Sequence, residues 1–113
     1  MREDGKVDYV ELPGADLGVS KAFYRQAFGW TFVDYGPTYA AFSEGLDGGF
    51  DADAASGRAT PLVVLYAHDL EAMEARVREA GGQIVRPIFS FPGGRRFHFR
   101  DPAGNEMAVW SES

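Results

Sequence analysis

VELPGADLGVSKAFYRQAFG (residues 10–29) returns 53 residues later as VVLYAHDLEAMEARVREAGG (residues 63–82). At that one offset Val10 meets Val63, Leu12 meets Leu65, Asp16 meets Asp69, Leu17 meets Leu70, Ala22 meets Ala75, Ala27 meets Ala80 and Gly29 meets Gly82. The shared positions fall on an apolar strand, a helix cap, the helix and its terminating glycine. A fixed spacing through four structural roles marks a tandem repeat of one supersecondary unit. Two strand-helix-strand units can close a sheet around a cavity suited to a small molecule.

Working outward, the first helix should run from Leu17 to Phe28, with the Asp16 carboxylate accepting from free first-turn amides and Gly29 taking the left-handed end. Val19, Phe23 and Ala27 recur at i, i+4 and i+8, with Ala22 alongside, and predict an apolar stripe toward a sheet. By the same helical spacing, core packing is the preferred reading of Phe23, Tyr24 and Phe28 over a ligand stripe. The second helix, Leu70 to Ala80, starts at Asp69, carries Glu71 near the positive end of its dipole, and buries Leu70, Met73, Val77 and Ala80. Gly81-Gly82 ends it.

Three strands follow each helix by pattern. The first set is Trp30 to Tyr35, Tyr39 to Ser43 and a short piece near Gly49-Phe50; the second is Gln83 to Arg86, Arg96 to Arg100 and Glu106 to Trp110. Alternation extends the stretch through Phe89 and Phe91. Gly36-Pro37, Pro92-Gly93-Gly94 and Asp101-Pro102-Ala103-Gly104-Asn105 supply turns. The fold class is therefore α+β: tandem βαβββ modules forming a curved, partly closed mixed sheet around a cavity, with helices outside. One domain, 1–113, is expected, with module one at about 6–50, a linker at about 51–60 and module two at about 61–111.

Composition agrees with a single domain that buries about two-thirds of its unfolded surface. Of 113 residues, 45% are hydrophobic and 25% charged, ordinary for a globular chain. Nine Phe, five Tyr and two Trp are many for this length, and fit either an aromatic core or a ligand-lining surplus. A net charge of -6 argues against a nucleic-acid partner. The chain has no cysteine, which removes disulfides, thiolate metal sites and thiol nucleophiles. No apolar run approaches the roughly 18 residues of a membrane span and no signal peptide opens the chain, so no membrane partner and a cytoplasmic location are expected.

The plan resembles the vicinal oxygen chelate superfamily, which includes glyoxalase I, bleomycin-resistance proteins, extradiol dioxygenases and fosfomycin-resistance enzymes. Asp16-Leu17, Ala22-Phe23-Tyr24 and Phe28-Gly29-Trp30 carry the likeness in the first half. His68-Asp69-Leu70, Ala80-Gly81-Gly82 and Asp101-Pro102-Ala103-Gly104-Asn105 carry it in the second. It spans Val7 to Trp110 and is nearest to the small glyoxalase-like branch. In that family four strands each give a His or Glu to a divalent metal. The resemblance puts two of those positions seven residues before each Asp-Leu pair, on Tyr9 and Leu62, and a third on Ala108. The fourth falls somewhere in 47–53, near Asp47, Asp51 and Asp53. Leu62 and Ala108 have no donor atom, and a neutral Tyr is a poor ligand for Mn, Ni, Zn or Fe(II). One Asp cannot replace the three or four protein ligands such sites need. No metal and no other cofactor are expected, and His68 and His98 are expected away from the ligand positions.

If positions 9, 62 and 108 point into the cavity, alternation brings in their neighbours two residues away. The candidate ligand-binding set is Tyr9, Glu11, Leu62, Val64, Tyr66, Ala108 and Trp110, with Glu106 nearer the rim. Val10, Leu12, Val63, Leu65, Met107 and Val109 form the complementary apolar face under the helices. Glu11 among apolar and aromatic groups is the candidate general base or amine-binding group; the structural alternative is an ion pair with Arg95, Arg96 or Arg100, or solvent exposure. Tyr9 reads as cavity wall, Arg95-Arg96 as a solvated turn or an anion-binding lip, and His98 as a hydrogen-bonded residue facing opposite Phe97 and Phe99. Gly48-Gly49-Phe50 admits close approach of a ligand or a partner chain.

These residues favour a metal-independent, glyoxalase-like protein that binds a small apolar or aromatic organic molecule, as in antibiotic sequestration of the bleomycin-resistance kind. The resemblance implies a homodimer. A metal-independent isomerase or lyase using Glu11 as base, and a protein-interaction domain without ligand, are the alternatives.

Overall fold

The computed structural model describes residues 2–53 and 60–113. Positions 54–59 of the expected linker lie outside the described residues. The chain divides into two compact units: Tyr9–Pro61, and Leu62–Ser113 together with the N-terminal residues through Asp8.

In the C-terminal unit, β5 (Leu62–Tyr66) leads to α2 (Leu70–Glu79), then β6 (Gln83–Phe91), β7 (Gly94–Arg100) and β8 (Glu106–Ser111). Its strands lie in the order β5-β8-β7-β6, with β5 parallel to β8 and the other pairs antiparallel. Asp69 caps α2 through a bond from the Ala72 amide. Most of the helix face predicted to be apolar packs on the sheet: Leu70 joins Ala67, Phe97, Phe99 and Val109 in a buried core, flanked by Leu65, Met73, Val77, Ile84, Ile88 and Met107. Ala80, expected on that face, is exposed and lies just past the end of the helix. Period-two alternation places the core residues of β5, β7 and β8 on one face, and Ile84 and Ile88 of the irregular β6 join them. Between β7 and β8, Asp101 accepts from the Asn105 side chain and from the amides of Asn105 and Ala103, while Gly104 takes the positive φ of 93° the turn requires. The Asn105 side chain, then the backbone donors, hold the Asp101 carboxyl below the usual range.

The N-terminal unit repeats the plan. From Tyr9 onward β1 (Val7–Pro13) belongs to it, followed by α1 (Leu17–Phe28), β2 (Val33–Asp34), β3 (Tyr39–Glu44) and β4 (Leu46–Asp51). The strand order is β2-β3-β4-β1, with β1 parallel to β4 and the other pairs antiparallel. The protein is thus α+β, built from tandem βαβββ modules. Asp16 caps α1 by accepting from the Val19 amide, and Gly29 closes it at φ 75°.

Two expectations fail in this unit. The predicted strand from Trp30 shrinks to Val33–Asp34. Trp30 and Phe32 instead enter an aromatic cluster, where Trp30 stacks on Tyr24 at 4.7 Å and tilts against Phe42 at 4.8 Å, and Phe32 and Tyr24 reach Phe50. The stripe Val19-Phe23-Ala27 does not face the sheet; Val19 is 65% and Phe23 57% exposed, and Phe28 is 64% exposed. The half-buried residues of α1 are Leu17, Ser20, Lys21 and Tyr24, a second series at helical spacing. Stacking of Tyr24 between Trp30 and Phe50 decides the rotation of the helix, and the first stripe is left outward.

Leu70→Ala should remove a side chain at 1% exposure from the core and lower the unfolding free energy by about 2–5 kcal/mol. Urea denaturation reads this; a loss of about 0.5 kcal/mol, typical of a surface site, would contradict the core assignment.

Candidate functional site

On the face of the C-terminal sheet opposite α2, the paired registers build two rows across four strands. Val64 pairs with Ala108, Ala108 with His98, and His98 with Arg86. Tyr66 pairs with Trp110, Trp110 with Arg96, and Arg96 with Phe89. Leu62, Val64, Tyr66 and Ala108, all candidates from the sequence, are buried here, and Trp110 is half-buried. Trp110 donates from its indole nitrogen to Asp8 at 2.9 Å, carries the Arg2 guanidinium 5.0 Å over its ring, and meets Tyr66 edge-on at 5.5 Å. Tyr66 donates to Glu112 at 2.8 Å, which raises its hydroxyl above the ordinary value. An open cleft of about 260 Å³ is lined by Arg2, Tyr66, His68 and Glu112.

His98 is 2% exposed and its Nδ1 lies 2.9 Å from Glu106 Oε2. It faces away from Phe97 and Phe99, as alternation required, but it does not lie apart from the ligand positions: it is the cross-strand partner of Ala108. The separation in sequence concealed a separation of one strand. Arg95 and Arg96 lie in β7 rather than in a loop, on opposite faces. Arg95 makes two bonds to Glu71 at 2.6 and 3.2 Å, and that hydrogen bonding raises the guanidinium pKa and lowers the Glu71 carboxyl. Arg96 lies over the rings of Phe89 and Phe91 at 5.5 and 5.6 Å.

In the N-terminal unit, Glu11 is 4% exposed and accepts from the Tyr39 hydroxyl at 3.3 Å; that hydroxyl is also 2.6 Å from the hydroxyl of Tyr9. Glu11 is the cross-strand partner of Gly49. A Cβ at Gly49 would collide with the Tyr39 ring, and one at Gly48 with Phe42 and the Val10 carbonyl. The glycine pair therefore gives the two aromatic rings of this same unit their room. Tyr39 was not visible as a site residue in the sequence; the glycines that admit its ring were the available signal.

Strand pairing also gives the repeat equivalent of Ala108. Val64, the repeat equivalent of Glu11, pairs with Ala108, and Glu11 pairs with Gly49, so Gly49 is the equivalent of Ala108. Asp47 and Asp51 flank it two residues away, and Asp53 lies beyond the strand. Tyr9, Gly49, Leu62 and Ala108 offer one phenol among them, a donor set that does not fit a divalent ion. Among the described residues no group of three or more His, Asp or Glu side chains is placed to hold one.

A twice-repeated βαβββ unit whose last strand pairs in parallel with its first defines the class of vicinal oxygen chelate proteins. The sequence matches the Glyoxalase/Bleomycin resistance protein/Dioxygenase superfamily over residues 6–109, and the chain belongs to that family. It is 29% identical over 112 residues to the anthracycline biosynthesis protein DauV of Streptomyces sp. strain C5, covering 93% of this chain and 41% of the relative. The chain thus spans less than half the length of the curated relatives it matches. In fold it is similar to methylmalonyl-CoA epimerase from Mycobacterium tuberculosis, with a TM-score of 0.73 and 18% identity over 100% of this chain and 91% of that one. It is also similar to the Mn(II)-bound glyoxalase from Novosphingobium aromaticivorans, with a TM-score of 0.67 and 24% identity over 99% of this chain and 40% of that one.

Burial, then the Glu11 carboxylate and the Tyr9 hydroxyl, push the Tyr39 hydroxyl far above its ordinary value of 10.0. A raised folded-state value favours the neutral form, so its contribution to stability is complete below about pH 10 and is lost as pH rises beyond it. Tyr39→Phe should weaken folding at pH 8 by about 1–3 kcal/mol and lose less stability between pH 10 and 11 than the parent. Urea melts across that range test this, and parallel declines would rule out a buried neutral Tyr39.

Proposed function

We propose that this protein is a metal-independent, glyoxalase-like binder of a small apolar or aromatic organic molecule, of the antibiotic-sequestering kind, in the cytoplasm. The carrying observation is the character of the family's ligand positions: Leu62 and Ala108, both buried, are apolar where ion-binding side chains would stand, and half-buried Trp110 adds aromatic surface on the same sheet face. Such surface suits a flat ring system. The similarity to a relative named for anthracycline biosynthesis supports the same ligand class.

A second reading rests on Glu11. A carboxylate at 4% exposure, held by a tyrosine hydroxyl, is suited to act as general base in a metal-independent isomerase or lyase. The Tyr39 bond orients it, and Tyr9 next to Tyr39 extends the hydrogen-bonded chain.

Daunomycin, added from low to high micromolar concentration, should raise the melting temperature in a dose-dependent way. Manganese and nickel should leave it unchanged. Turnover of a bound compound that disappears in Glu11→Gln, with affinity retained, would select the enzyme; stabilisation by either metal and none by the aromatic compound would overturn the leading reading.

The protein acts as a homodimer in this proposal, and the outward Val19 and Phe23 of α1 support it, because apolar side chains grouped on one helix face favour a partner surface. Sedimentation velocity should give a dimer for the parent and a monomer for Phe23→Asp. A monomeric parent at tens of micromolar would remove the dimer.

A further inference from the structure

Residues 2–8 belong to the C-terminal unit and lie along the end of β5. The Gly5 amide donates to the Tyr66 carbonyl at 2.8 Å, and the Tyr66 amide donates to the Lys6 carbonyl at 3.3 Å. The Asp4 carboxylate accepts from the His68 amide at 2.7 Å. Those three bonds fix residues 4–6, and Gly5 turns the chain there with a positive φ of 72°. Arg2, beyond the turn, is held differently. Among the described residues it makes no backbone hydrogen bond; its guanidinium rests 5.0 Å over the Trp110 ring while its Nε donates to Asp8 Oδ2 at 3.2 Å.

Trp110 and Asp8 form a seat for that cation. The same Oδ2 accepts from Trp110 Nε1 at 2.9 Å, which fixes the carboxylate at the edge of the indole. An aromatic face with a carboxylate at its rim attracts a cation twice, through the ring quadrupole and through charge. Arg2 shows that a guanidinium fits. It is also a shared wall, since it covers the ring and lines the open cleft of about 260 Å³ whose other walls are Tyr66, His68 and Glu112. With Arg2 swung aside, the cleft extends onto the indole face. Glu112 is exposed and accepts from Tyr66 through Oε1, so a second carboxylate stands in the same cleft. The net charge of -6 adds a field that favours cations.

We propose that the seat formed by Trp110 and Asp8 binds a small organic cation, an amine or guanidinium compound, and that Arg2 is its internal competitor, displaced as the ligand enters from the cleft. The Arg2 side chain is 41% exposed and is tied by one surface ion pair and one cation–π contact, both weak in water. It can therefore leave while the Gly5, Lys6 and Asp4 bonds hold the rest of the segment. The incoming cation takes over the ring and Asp8, and Glu112 across the cleft can accept from its remaining N–H donors. The site uses half-buried Trp110 but neither Leu62 nor Ala108, so it goes beyond the aromatic-ligand reading and stands without it.

The test compares benzylamine, a cation at pH 7, with its neutral analogue benzyl alcohol, by NMR titration read at the Trp110 indole N–H. Arg2 is exposed, so Arg2→Ala and Arg2→Gln should both keep the parent's melting temperature. Each should bind benzylamine about tenfold more tightly than the parent does, the gain expected when one exposed cation–π contact and one surface ion pair no longer compete. Benzyl alcohol should show no such gain. Arg2→Lys, which keeps a cation on the ring, should behave as the parent, and adding Asp8→Asn to Arg2→Ala should abolish the gain. Equal benzylamine affinity in the parent and both uncharged variants, equal affinity of Arg2→Ala for amine and alcohol, or a gain that survives Asp8→Asn would each overturn the cation seat. None of these results bears on the daunomycin melts, so the two readings fail separately.

Discussion

The layer formed by Leu70, Phe97, Phe99 and Val109 sets the chemistry of the C-terminal unit, because burying those side chains under α2 fixes the parity of β5, β7 and β8. With Val109 committed inward, Ala108 and Trp110 must stand on the other face; with Phe97 and Phe99 committed, His98 must join them. A slip of one residue in any ladder would exchange the two sets and expose the core. The candidate site is therefore the complement of the core, and its precision comes from hydrophobic packing on the opposite side.

The same logic explains why so much of the fold was legible. Asp16 and Asp69 are caps whose carboxylates meet the amides they were expected to meet, and Gly29 adopts the left-handed turn. Leu62–Tyr66 and α1 have the boundaries read from their pattern. These are local signals, each decided within a few residues. Alternation then sorted Leu62, Val64, Tyr66 and Ala108 from Leu65, Met107 and Val109, which is a statement about one strand at a time.

What was missed needed contacts between strands or between side chains distant in sequence. The neighbour relation of His98 and Ala108 depends on the β7–β8 register, set by the length of the Asp101–Asn105 turn. Tyr39 reaches Glu11 only because the intervening position, Gly49, lacks a side chain. The outward turn of Val19 and Phe23 follows from Tyr24 stacking on Trp30, and because the inward series Leu17, Ser20, Lys21 and Tyr24 is half polar, apolar periodicity pointed to the wrong face. Arg86 joined the site face through a bulge, for which Pro87 in an edge strand was the one available sign.

Comparing the copies position by position shows how the duplication has diverged. At the equivalent cross-strand pairs, Glu11 with Gly49 and Val64 with Ala108, the first copy carries a buried acid and the second only buried apolar side chains. One strand further, the first copy has Ala41 where the second has His98; two residues before these stand Tyr39 and Arg96. Each unit thus carries polar chemistry on one side of its last strand and a small residue on that strand itself. Gly49 and Ala108 are the smallest side chains available, and a family position that elsewhere fills with an ion-binding group has become, in both copies, a place where bulk is withheld. In the first copy the room so left is taken by the Tyr39 ring of the same unit, and that is how Tyr39 comes to stand against Glu11.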